Sequence, residues 1–355
     1  QFIGADLDIY DNASLASLNG MPKIRRIKAL RISGNPVLTA LTGLEKIDTL
    51  SVGMSIYNND ALVSLAGLKH LKSVGWMEIT ENDALTSLSG LDSLASITSD
   101  TKIWFNTAMA SLAGLDHPID LQGGLWISGN SVLASLAELN HISKLKYLYL
   151  DGNAALTDLT GLEQLNRLSG SLRISYNNAL SSLNGLEHIR SIGGRLDLSA
   201  NDKLPDLAVL ENLDSVGAIY LDQTALTSLT GLNGLRYIGG TLALYNNIYL
   251  NSIMALDSVQ FIGGHLAIQY NPLLSACALP AICQYMAEPT NTEIIEGNAP
   301  GCKTVPEVWA SCQVTEETTI TIDPSLTLFP NPTAGRIHIR AGQAGNGRLI
   351  VSDYM

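Results

Sequence analysis

The sequence predicts a mainly β solenoid, a leucine-rich stack of about thirteen coils at a repeat period of 23 to 24 that forms one long parallel sheet. A cysteine-bearing C-terminal cap and then the start of a small β-sandwich domain follow it. Three observations predict this. A unit such as "IGGRLDLSANDKL" (192–204) returns almost unchanged as "IGGTLALYNNIYL" (238–250). Asparagine recurs at Asn12, Asn35, Asn59, Asn82, Asn106, Asn130, Asn153, Asn177, Asn201, Asn247, Asn271 and Asn298, with Thr224 in the one slot lacking it; successive slot numbers differ by 23 or 24, and by 27 at the last step. Each unit also carries an apolar-x-apolar core just before that slot, and self-similarity at one period over so many units is the signature of a stacked repeat.

Each part of a unit has a physical reading. In Leu196-Asp197-Leu198 the period is two, so both leucines face inward and the residue between them faces solvent, giving one short strand per coil. A buried asparagine at the turn can pair with backbone groups of the coils above and below, which predicts an internal ladder. The "SLxGL" segment returns the chain with its leucines inward. The glycine pair ahead of the next strand is expected to supply positive φ at a sharp turn.

Composition limits what the chain does. Only 15% of the 355 residues are charged and 6% aromatic, and the net charge of −12 disfavours a phosphate-binding surface, so nucleic acid is not an expected partner. No apolar run reaches the roughly 18 residues of a membrane span, which predicts a soluble chain. Signatures such as HExxH, GxSxG or a P-loop do not occur, so no enzyme, cofactor or metal is expected.

The pattern "IGGxLxIxxNxxLxSLxGL" resembles the leucine-rich repeats of receptor L-domain-like proteins, especially the multi-coil surface proteins of Bacteroidota. The resemblance covers about 2–312 and twelve of thirteen asparagine slots. It implies a right-handed stack of short parallel strands with irregular or short helical returns, about 60 Å long at one strand spacing per coil. The opening "QFIGADLDIY" has no polar cap, from which we expect further chain before Gln1 or something covering that face.

Toward the other end, "CALPAICQYM" and "GCKTVPEVWASC" read as two short helical pieces holding all four cysteines, and look like this family's C-terminal cap (273–312). Four cysteines allow three pairings. Their register against Asn271 and Asn298 favours Cys277 with Cys302 and Cys283 with Cys312, stapling the last coil to its neighbour; buried free thiols and a zinc site are the alternatives. Disulfides would place the protein in an oxidising, extracellular setting. Beyond a polar linker at 313–324, "FPNPTAGRIHI" resembles the opening strands of the C-terminal sorting domain of type IX secretion. Residues 325–355 would then be part of a β-sandwich read by the secretion machinery at the outer membrane.

The sheet offers three outward columns, at the sixth, fourth and second positions before each asparagine slot. Coils three to seven place Tyr57, Trp76, Glu78, Lys102, Trp104, Trp126, Tyr147, Tyr149 and Asp151 there, including three of the four tryptophans, and Tyr10, Tyr220 and Tyr245 share the face. Exposed aromatics dominate binding hot spots, although they also stack across strands simply to stabilise a sheet. His70, His117, His141 and His188 each fall at the eleventh position after their asparagine and read as solvent-facing. The Asp/Asn clusters read as turn chemistry rather than calcium loops. The expectation is a secreted or cell-surface recognition module that binds a protein or a glycan on the aromatic face. The other reading is a structural surface-layer or filament protein assembling with copies of itself.

Overall fold

The computed structural model describes residues 4–21 and 24–313. Thirteen parallel strands follow one another down the stack. They are β1 (Leu7–Tyr10), β2 (Arg26–Ser33), β3 (Thr49–Tyr57), β4 (Ser73–Thr80), β5 (Thr101–Trp104), β6 (Leu125–Ser128), β7 (Leu148–Asp151), β8 (Leu172–Ser175), β9 (Ser191–Asp197), β10 (Ser215–Asp222), β11 (Leu242–Tyr245), β12 (Leu266–Gln269) and β13 (Glu293–Glu296). Each pairs with the next, and the asparagine slots stay in line from β1 to β13. The fold is a mainly β, parallel β-solenoid of about twelve turns.

Alternation within each strand gives the expected two faces. In β6 Leu125 and Ile127 are buried while Trp126 and Ser128 are half-exposed. The leucines of the return segments meet the strand residues in one continuous core, where Leu88, Leu136, Leu159 and Leu232 are wholly buried. Each such side chain contributes roughly 2 kcal/mol of transfer free energy.

Two local conformations make the returns. Glycines in the "SLxGL" slot, Gly67 excepted, take φ of +105° to +117°, as at Gly90, Gly114 and Gly185. Three coils carry Glu138, Val209 or Ala255 there, residues for which that φ is strained, and their segments close as 3-10 turns instead; Gly67 lies in a fourth such turn.

The asparagine ladder is continuous on both sides of Thr224. Asn59 Oδ1 accepts from the Asn35 backbone N–H at 3.2 Å and from its Nδ2 at 3.1 Å, while Asn59 Nδ2 donates to Ile32 O and Tyr57 O, both at 3.0 Å. Thr224 donates to Asn247 Oδ1 from both its backbone and its hydroxyl, at 3.0 and 2.6 Å, but has no carboxamide to offer Asn201.

The glycine pairs do not have the role read from the sequence. None of Gly193, Gly194, Gly239, Gly240, Gly263 or Gly264 has positive φ. They are glycine because coils touch there: a Cβ on Gly193 would strike Ser169 O, and one on Gly263 would strike Gly239 O. Left-handed backbone belongs instead to the residue immediately before every ladder slot, from Asp11 to Gly297, at φ of +51° to +69°.

The cap comprises α1 (Pro280–Met286), β13 and α2 (Val305–Cys312). Thr304 caps α2 by accepting from the Glu307 N–H, and Glu296 bridges antiparallel to Thr304 beside the last strand. Disulfides Cys277–Cys302 and Cys283–Cys312, each with Cα atoms 5.4 Å apart, follow the register pairing. Apart from Gln313, the linker expected at 313–324 and the sandwich expected at 325–355 lie outside the described residues.

Candidate recognition surface

The aromatic face is built by register. Adjacent strands set Glu78, Lys102, Trp126, Tyr149 and Arg173 side by side in one column, and Thr80, Trp104, Ser128 and Asp151 in the next. Not all of the expected residues meet. Trp126 packs edge-on against Tyr147 and Tyr149, with centroids 4.5 and 5.5 Å away, and the two tyrosines stack on one another at 5.5 Å. Lys102 Nζ lies 5.0 Å from the Trp104 ring and 5.7 Å from Trp126, bridging the indoles by cation–π attraction. Lys102, Trp104, Trp126, Tyr147 and Tyr149 therefore form one patch across β5, β6 and β7.

Asp100 fixes this patch, and sequence inspection did not single it out. Its Oδ1 accepts from the Tyr147 hydroxyl at 2.7 Å and from the Gly124 N–H at 3.0 Å. Burial, reinforced by Asp100, pushes the Tyr147 phenol up to about 12. The signal that could have found Asp100 was slot arithmetic. Trp76, Asp100, Gly124 and Tyr147 occupy the same position of successive coils, so a residue without a side chain separates the carboxylate from the phenol.

The other candidates stand apart from the patch. Trp76 lies across Gly53 of the preceding coil, where a Cβ would meet its indole at 2.6 Å or closer. Tyr57 is 42% exposed and separated from Trp104 by Thr80. Glu78 is in register with Lys102, yet the ammonium sits over the indoles, and among the described residues no ion pair joins the two. Asp151 accepts from the Ser175 hydroxyl and pairs with Arg173 Nε at 3.1 Å. Burial pushes its carboxyl above the ordinary value, against the pull of Ser175 and Arg173. Asp151 thus opens a satisfied polar network that runs on to Asp197, Arg195 (2.6 Å) and Ser199 (2.6 Å). Tyr220 is covered by Arg195, whose guanidinium carbon lies 3.6 Å from the ring centroid, and Tyr10 is exposed at the far end. Burial raises the Tyr245 phenol.

The histidines match the solvent-facing expectation in part: His70 and His188 are exposed, whereas His117 and His141 are half-buried. His117 is half-buried with Nε2 2.8 Å from Leu94 O, and His188 Nδ1 is 2.9 Å from Glu163 O, each pairing with a carbonyl of the preceding coil. Burial pushes the half-buried His141 imidazole down. Among the described residues no helix is long and apolar enough to cross a membrane.

Fold and surface together define a disulfide-capped parallel β-solenoid with an internal asparagine ladder and an aromatic patch on its sheet. No protein-family model matches the chain, and no curated protein is significantly similar to it.

Proposed function

We propose that the chain is a secreted or cell-surface recognition module, non-enzymatic, that binds a protein or glycan partner through Lys102, Trp104, Trp126, Tyr147 and Tyr149. The observation that carries this reading is the fixed packing of the patch, in which Trp126 is braced by two tyrosines and Tyr147 by Asp100. Rigid, half-exposed aromatic rings offer large contact area with little conformational entropy left to lose on binding. The two disulfides support an oxidising compartment outside the cell. We extend the proposal to the relatives the repeats resemble: a leucine-rich-repeat, receptor L-domain-like surface protein exported by type IX secretion through its C-terminal residues.

The test is Trp104→Ala with Trp126→Ala. Screened against glycan arrays and cell-surface extracts, the native protein should retain a ligand that the double variant loses, with both proteins equally folded by circular dichroism. Undiminished binding by the double variant removes the patch from the reading.

A further inference from the structure

The aromatic patch continues into a charged groove. Lys146 reaches over the Tyr147 ring with Nζ 5.6 Å from its centroid, and it also lines a groove with Lys144 and Arg167. A break in the sheet creates this groove. Beside the main strands runs a second column of short parallel pairings, in which Asp120–Leu121 pairs back to Ser96–Ile97 and Leu145 bridges forward to Leu168. Among the described residues no strand pairing joins Leu121 to Leu145; the two coils are tied there by Lys146 N–H donating to Gly123 O at 3.1 Å.

Lys144, Lys146 and Arg167 are all exposed, and the ion pairs of the described residues involve Arg31, Arg173 and Arg195 but none of these three. The one carboxylate lining the groove, Asp120, accepts from the Gln122 amide at 2.9 Å. A chain with a net charge of −12 therefore gathers three cations, none of them in an ion pair, against one carboxylate in a groove beside its most aromatic surface.

We infer that patch and groove are one binding surface for an anionic polysaccharide, with sugar rings lying on Trp104, Trp126 and Tyr149 and carboxylate or sulfate groups held by Lys144, Lys146 and Arg167. The inference rests on the proposed recognition role of the patch and narrows its ligand class. Apolar sugar faces suit the indoles, and charges spaced along a polymer suit a few separated cations. Glu78, in register beyond Lys102, repels charge at the far end and directs the acidic groups toward the groove. Nucleic acid fits less well, because duplex DNA carries a charge about every 1.7 Å and would meet the acidic remainder of the surface.

The experiment measures binding of the full chain to polygalacturonate and heparin, as carboxylate and sulfate sources, with laminarin as the neutral control and polyglutamate as the acidic peptide control. Two variants are compared: K144E/K146E/R167E, which changes only exposed side chains, and the double tryptophan variant. We expect at least one anionic polysaccharide to bind better than laminarin or polyglutamate. That binding should weaken roughly tenfold or more in the charge-reversal variant and in about 0.5 M salt, and also fall in the tryptophan variant. Laminarin binding that survives charge reversal but is lost with the tryptophans overturns the anionic class and leaves the aromatic reading standing. Anionic binding lost on charge reversal but untouched by the tryptophan change overturns the joint surface and, with it, the proposed role of the patch. Equal binding of polyglutamate, or no polysaccharide bound at all, overturns the inference.

Discussion

The Tyr147 hydroxyl donates to Asp100 Oδ1 at 2.7 Å across a whole intervening coil, whose Gly124 leaves the space for it. Burial and this carboxylate hold the phenol protonated up to about pH 12, against an ordinary value near 10. Because the folded-state value is the higher one, the stabilisation is fully present below about pH 10 and is lost as pH rises from there through 12. Difference absorbance at 295 nm should show Tyr147 titrating near the top of the tyrosine curve, at about 12, and Tyr147→Phe should remove that last step. A native protein in which this step coincides with the remaining tyrosines would contradict the contact.

Gly124 and Tyr147 should also be energetically coupled. A methyl on Gly124 would fall inside the Tyr147 ring, its nearest obstacle, and the backbone φ there is not positive, so no left-handed strain adds to the cost. Gly124→Ala should cost about 1–3 kcal/mol in denaturant unfolding. In the Tyr147→Ala background the same change should cost less by at least about 1 kcal/mol. Additivity within experimental error would mean that the ring does not rest on Gly124.

The coils and cap were legible because a repeat repeats its constraints: thirteen copies of an alternating core, twelve of them with an asparagine, leave one solution, and Cys277 and Cys302 lie only six and four residues past the ladder asparagines of adjacent coils. Contacts that cross coils were less legible. Asp100, Gly124 and Tyr147 are ordinary residues singly and gain meaning only when stacked, and no period reports which way Lys102 leans between Glu78 and the indoles. The glycine pairs misled for a related reason. Glycine serves both positive φ and close approach, and at Gly193 and Gly263 the neighbouring coil's carbonyl requires it. The positive-φ column was hidden because residues as different as Phe105, Tyr176 and Ala200 occupy it.

The ladder makes an ordered prediction about one side chain. Asn106 Oδ1 accepts from the Asn82 backbone at 3.1 Å, and its Nδ2 donates to Ile79 O and Trp104 O, both at 2.9 Å. Asn106→Ala takes the side-chain acceptor from the Asn82 N–H and the amide donor from both carbonyls, of which Trp104 O keeps the Glu81 N–H at 3.0 Å, and should cost about 2–4 kcal/mol. Asn106→Asp keeps the shape but turns an oxygen toward two carbonyls and buries a charge, so near neutral pH it should cost more than alanine. Urea unfolding of the pair decides; an aspartate variant as stable as the native chain would show that the amide donors carry little.

The two disulfides should separate under reduction. Cys277 and Cys302 are wholly buried beneath the last coils, whereas Cys283 and Cys312 are half-buried on α1 and α2. A thiolate reductant must reach a sulfur to attack it, so mild treatment should open Cys283–Cys312 first. Its loss, by reduction or by replacing both residues with serine, releases a span of 29 residues and should lower stability by about 3–4 kcal/mol on the chain-entropy account. Because α2 touches the stack through α1 and β13, the effect should begin locally, with faster amide exchange in α2 while the strands from β3 to β11 keep their protection. Alkylation followed by mass spectrometry reads the order, and hydrogen exchange reads the extent. Simultaneous opening of both bridges would mean that the cap and the final coils unfold as one unit, with Cys277–Cys302 no better protected than its partner.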